Sequence, residues 1–169
     1  MVIFSGYTCA SSTTTIQDLN SHRLSHEVEY LFDDTYELEL DDIQNVTDWH
    51  PITSDNINFS FRSSALWLRF SIKVTNSNDY VIHIPYPLID FLDNYSFING
   101  KALRPIHTGD SRNFDTRESD YIDFAFPYNL KQGDTLTVYL RAATNGALDI
   151  PIDFVSKEQF TKKERTNTF

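Results

Sequence analysis

The stretch Leu66-Trp67-Leu68-Arg69-Phe70-Ser71-Ile72-Lys73-Val74 decides the fold. Leu66, Leu68, Phe70, Ile72 and Val74 recur at every second position, with Trp67, Arg69, Ser71 and Lys73 between them. Successive side chains point to opposite sides only in a β-strand, so the pattern predicts a strand with an apolar core face. The same alternation returns on both sides of it. Val28, Tyr30 and Phe32 alternate with polar residues, and Ile82 and Ile84 alternate ahead of Pro85. Phe91 to Ile98 is closed by Asn99-Gly100, a pair suited to a two-residue hairpin turn. Ile122, Phe124 and Phe126 precede Pro127; Leu136, Val138 and Leu140 follow the Lys131–Asp134 turn. After Asn145-Gly146, Leu148, Ile150, Ile152 and Phe154 alternate.

Short runs of period two joined by turn chemistry predict an all-β fold, an antiparallel β-sandwich or jelly roll. Leu68, Phe70, Phe124, Phe126, Val138 and Leu140 are its expected core. One or two short helices are expected, at 40–46 and from Ser156 to Arg165, where Ser156 is a suitable cap. Aromatic residues make up 14% of the chain, which suits half-buried pleated surfaces.

The chain has 169 residues, the length of one domain with a core. Its net charge of -10 argues against nucleic acid and anionic lipid, which are bound through clustered Lys and Arg. A single cysteine, Cys9, rules out an internal disulfide. The five histidines, His22, His26, His50, His83 and His107, show no metal-ligand spacing, so no metal and no cofactor are assigned. Asp33, Asp34, Asp41 and Asp42 lie in an acidic stretch whose ordinary role is solvation, and no catalytic residue is assigned. Residues 1–25, rich in hydroxyl side chains from Ala10 to His22, are expected to be a flexible lead-in or the remnant of a signal sequence.

A series of short motifs follows along the chain in order. Leu40-Asp-Asp-Ile43 and Trp49-His-Pro51 come first, then Leu66-Trp67-Leu-Arg69-Phe and Pro87-Leu-Ile-Asp90. Tyr95, Thr108-Gly109-Asp110, Phe114, Arg117 and Phe126-Pro127 follow. Gln132-Gly133, Leu136-Thr-Val-Tyr-Leu-Arg141, Gly146, Ile150-Pro151 and Phe160 complete the series. From about Tyr30 to Phe160 this order resembles the second type of extracellular domain of the seven-transmembrane receptors with diverse intracellular signalling modules (7TMR-DISM). The resemblance implies a jelly roll similar to carbohydrate-binding modules, with the sensor domain at 26–160. It places residues 161–169 on the way to seven membrane helices and an output module, commonly a diguanylate cyclase or histidine kinase. It implies a periplasmic domain of an inner-membrane protein whose ligand is a carbohydrate or another small molecule. Dimerisation with a second copy is left open.

Alternation gives a candidate site. Trp67 and Arg69 share the non-core side of their strand, as Tyr139 and Arg141 do of theirs. An aromatic plane stacks on a sugar face, and a guanidinium donates to its hydroxyls. Asp110 and Arg117 lie in the polar loop 108–118, where they clasp a ligand or pair with each other. The expected ligand-binding set is therefore Trp67, Arg69, Asp110, Arg117, Tyr139 and Arg141. Trp67 reads more readily as a core residue, and Arg69 and Arg141 read equally as partners of structural carboxylates. The function expected is extracytoplasmic ligand sensing by a non-enzymatic receptor domain. The alternative is a carbohydrate-binding or adhesion module that does not signal.

Overall fold

The computed structural model describes residues 12–17, 21–116 and 122–167. Strands β1 (Thr13–Ile16), β2 (His22–Leu24) and β3 (Glu29–Asp33) lead to a short helix, α1 (Leu40–Gln44). Next come β4 (His50–Pro51), β5 (Asn58–Phe61), β6 (Ala65–Val74), β7 (Asn78–Ile84) and β8 (Phe91–Ile98). They are followed by β9 (Lys101–Ala102), β10 (Ile106–Thr108), β11 (Phe124–Leu130) and β12 (Thr135–Ala143). The last elements are β13 (Ala147–Asp149), β14 (Ile152–Ser156) and helix α2 (Lys157–Asn167).

Two sheets make the sandwich. The larger runs β10-β8-β12-β6-β3-β4, with β9 on β8 and β1 on β6. The smaller runs β11-β7-β14-β2, and β13 pairs with β5 apart from both. All pairings among these strands are antiparallel except β1 with β6. The predicted antiparallel sandwich is the fold observed. One core fills the space between the sheets. Leu66, Leu68, Phe70, Ile72 and Val74 of β6 meet Ile82, Phe124, Phe126 and Phe154 of the smaller sheet there, all at most 1% exposed. Val138 and Leu140 join them, so every residue expected in the core is buried.

Asn99-Gly100 makes the expected hairpin between β8 and β9, with both residues at positive φ (51° and 79°). Asn145-Gly146 does something else. It carries the chain from β12 in the larger sheet to β13, which pairs with β5, so it turns a corner and closes no hairpin. Ser156 caps α2 as expected, its Oγ accepting the Gln159 amide at 3.3 Å.

Two strands fall inside the stretch expected to be a flexible lead-in. β3 pairs with β6 only as far as Arg69, and β1 takes the same edge beyond it, Thr13 to Ile16 against Ser71 to Val74. β2 pairs with β14, and Leu24 is fully buried. The threonines look like linker by polarity, but their branched β-carbons favour an extended edge strand. The remainder of that stretch lies outside the described residues.

Candidate functional site

Strand register sets the outer face of the larger sheet in rows. One row crosses five strands: Leu31, Trp67, Arg141, Asp93 and His107 are successive partners. The next contains Glu29, Arg69, Tyr139 and Tyr95. The four face residues expected from alternation therefore do come together, in adjacent rows.

They are not equally open. Trp67 is fully buried, its ring stacked on Tyr95 at 5.8 Å. Ile43 of α1 and Trp49 fold over it and form a second, smaller apolar cluster, with Leu38, Val46 and Tyr139 packed at its margin. Arg69 is 5% exposed; its Nε donates to Glu29 at 2.7 Å and its guanidinium lies 4.5 Å from the Trp49 ring. Tyr139 is half-buried between Trp49 and Phe97, and burial raises its phenol pKa. Trp67 and Arg69 thus hold the platform from beneath and present no stacking plane. What covers them comes from 38–49, remote in sequence from β6.

Arg141 is where this face reaches an open end of the sandwich. Its Nη2 donates to the Tyr36 carbonyl at 3.3 Å and its Nη1 lies 3.8 Å from Asp93. The same Asp93 carboxylate accepts Arg112 at 2.6 Å and lies 2.9 Å from His107 Nδ1. Arg112 belongs to the polar loop, so one buried carboxylate ties that loop to the sheet face. Beside Arg141 is a cavity of about 250 Å³ lined by Tyr36, Asp90, Phe91, Ala143, Thr144 and Asn145. A second, of about 260 Å³, shares Tyr36, Thr144 and Asn145 and adds Phe61, Arg62 and Ser63.

Three exposed rings flank these cavities: Phe61 at 78%, Tyr36 at 44% and Phe91 at 41%. Exposed aromatics lose apolar burial, and here Tyr36 and Phe61 are each held outward by a specific backbone device. The buried Asp33 carboxylate accepts the amides of Thr35, Tyr36 and Leu38, each at 3.0 Å, and the Thr35 hydroxyl at 2.6 Å. That turn holds Tyr36 at φ 62°, a conformation costly for a bulky residue and kept only where its surroundings impose it. Burial pushes the Asp33 pKa up, but these hydrogen bonds outweigh it and leave it lowered. Ser60, next to Phe61, is at φ 56°, and the Asn58 side chain accepts its amide at 2.8 Å. The guanidinium carbon of Arg62 lies over Phe32, 3.6 Å from the ring centre.

Asp90 organises the floor. Its carboxylate accepts the Asn145 amide and the Thr144 hydroxyl, both at 2.8 Å, and the Ser111 hydroxyl at 3.0 Å. These bonds, the Asn145 amide foremost, hold its pKa below the usual carboxylate range. Its main chain accepts the Ser111 amide at 3.0 Å, while the Asp110 amide donates to Ile89 at 2.7 Å. Asp110 is therefore stitched to the rim of the cavity, with its residue exposed. Arg117 lies outside the described residues. Tyr36, Phe61, Arg62, Asp90 and Phe91 were not singled out as site residues from the sequence. The one local signal was Asp33-Asp34-Thr35, a side chain able to cap its own turn.

The family profile of 7TMR-DISM extracellular 2 matches residues 25–156. No curated protein matches the chain. Among solved structures, it is similar to a beta-glucosidase from Kluyveromyces marxianus in complex with glucose, with TM-score 0.44 and 10% identity over 76% of this chain. It spans 16% of that enzyme chain. A family 35 carbohydrate binding module from Clostridium thermocellum has TM-score 0.38 and 8% identity, covering 81% of this chain and 98% of the module. CBM35 from Cellvibrio japonicus Abf62 has TM-score 0.40 and 17% identity, covering 81% of this chain and 94% of the module. At these scores the likenesses carry no argument about the site.

Proposed function

The chain belongs to the 7TMR-DISM extracellular 2 family, and from that membership we propose that it is the ligand-sensing module of a bacterial transmembrane receptor. On this reading it works in the periplasm, as part of an inner-membrane protein, ahead of seven membrane helices and an output module. It binds and does not catalyse. The ligand is a carbohydrate or another small polar molecule, held at the loop end between Tyr36, Phe61 and Phe91.

The observation that carries this reading is the pairing of exposed rings with fixed polar groups around the two cavities. Ligand sites combine flat apolar area with a few aimed donors and acceptors. Here the rings supply the area, Arg141 and Arg62 supply donors, and Asp90 and the 144–145 loop supply the polar floor. The nearby guanidiniums of Arg141 and Arg112 are matched by Asp93, which suits a neutral, hydroxyl-rich ligand. Of the residues expected from the sequence, Arg141 contacts ligand and Asp110 lines the rim. Trp67, Arg69 and Tyr139 fix the platform. A ligand touching loops from β3, β5, β8 and β12 favours one arrangement of them, which is all that a signal requires.

A thermal-shift screen with mono- and oligosaccharides, polyols and amino acids tests the reading. A ligand at 100 times its Kd raises stability by about 2.7 kcal/mol. For the compound found, Phe61→Ala and Tyr36→Ala should each weaken calorimetric affinity at least tenfold. Phe61→Ala should leave the melting temperature of the free domain unchanged, because that ring is 78% exposed. Full affinity in both variants would remove the loop end as the site.

A further inference from the structure

The opposite side of the molecule carries an arrangement that the ligand site does not use. α2 lies on the outer face of the smaller sheet, where Phe160 packs with Val81, Ala125 and Val155. His83 of β7 sits under that contact, its side chain 3% exposed and its ring edge-on to Phe160 with centroids 5.0 Å apart. Its Nε2 is 3.1 Å from Oδ2 of Asp123, which immediately precedes β11. Glu164 follows Phe160 by four positions on α2, so it projects from the same helix face. One ligand atom each from His83, Asp123 and Glu164 lies within 4.8 Å of the others.

We propose that His83, Asp123 and Glu164 bind a first-row transition-metal dication of the zinc type, which fastens α2 to the smaller sheet. The residue types decide the class of ion. One imidazole with two carboxylates is a donor set for zinc and its neighbours, with water in the fourth position. Calcium takes six to eight oxygens and has no use for the ring nitrogen. Donors around tetrahedral zinc sit roughly 3.4 Å apart, given metal–ligand distances of about 2.0–2.2 Å. Closing the present spacing needs only side-chain rotation at Asp123 and Glu164, both partly exposed, while packing fixes the His83 ring. Electrostatics point the same way. Two carboxylates brought together beside a buried ring repel, and a cation between them relieves that repulsion. The neighbouring carboxylate Asp153, the register partner of His83, is already engaged by Arg23 at 2.5 Å and Lys163 at 3.8 Å.

The test uses the 169-residue chain in a Cys9→Ser background, stripped with chelator and titrated calorimetrically with Zn²⁺. One ion per chain should bind, with affinity lowered at least tenfold by Glu164→Gln and by Asp123→Asn. Co²⁺ should give the absorption of a low-coordinate site, and either variant should abolish it. Zinc should also slow amide exchange across 157–167, an effect absent in Glu164→Gln. A His22→Asn, His26→Asn, His50→Asn variant should bind as the parent does. The proposal is overturned if no zinc binds, or if binding survives both carboxylate changes and follows the exposed histidines. It is equally overturned if protection of α2 depends on Glu164 without zinc.

Discussion

The main-chain oxygen of Asp90 lies 2.1 Å from the point that a β-carbon on residue 109 would occupy, so the chain passes there only because residue 109 is glycine. Gly109 is also at φ 141°, a backbone region that other residues rarely adopt. Gly109→Ala must move the 89–91 segment or the 108–112 loop, and both line the ligand site. Urea melts should show a loss of about 2–4 kcal/mol, combining backbone strain with the clash. Ligand affinity should fall as well, and a variant as stable as the parent would contradict the geometry.

Asp93 should matter more to stability than its small side chain suggests. It is 4% exposed and faces Arg112, Arg141 and His107. Removing the buried carboxylate leaves Arg112, Arg141 and His107, all partly exposed, without their acceptor, at a cost of about 1–3 kcal/mol. Asp93→Ala should approach that loss in denaturant melts, and Asp93→Asn, which keeps an acceptor, should lose less.

Acid should weaken the loop end. Asp33 and Asp90 both have folded-state pKa values lowered below those of the unfolded chain. Their contribution is therefore fully present above the unfolded carboxylate pKa and disappears as pH falls through the folded value. Stability measured from pH 7 downward should drop across that window, and Asp33→Asn should flatten the drop. An unchanged slope in that variant would mean that Asp33 does not hold the Tyr36 turn.

Phe124 reports on the core. It is 1% exposed and lies between the sheets. Phe124→Ala should cost roughly 3–5 kcal/mol where the cavity persists. A loss below about 1 kcal/mol in equilibrium melts would place that face of β11 outside the sandwich.

The core was legible because a strand's alternation is local: Leu66 to Val74 specifies its buried side without reference to any other segment. The opposite side was legible only as a set of neighbours. Nothing near Trp67 tells that Ile43 and Trp49 fold over it, since that packing joins segments about twenty residues apart. Tyr36 and Phe61 escaped for a related reason. An aromatic in a loop or at a strand end reads as core until the backbone that turns it outward is known, here the Asp33 turn and the left-handed Ser60. His83, Asp123 and Glu164 lie on three segments separated in the chain, and spacing rules cannot bring them together.

β14 ends at Ser156 and α2 begins at Lys157 with no linker residue between them, and the helix folds back over the smaller sheet, bringing Lys163 to 3.8 Å from Asp153. β14 lies between β7 and β2, paired with β7 from Asp153 to Ser156 and with β2 from Ile152 to Phe154. Those bonds run across the strand direction. Tension along the strand therefore loads them together in shear, whereas peeling from one end would break them in turn. α2 is in consequence a stiff handle. A small axial displacement of it moves the smaller sheet as a unit, and displacement of the sheet is carried back to the helix with little slack.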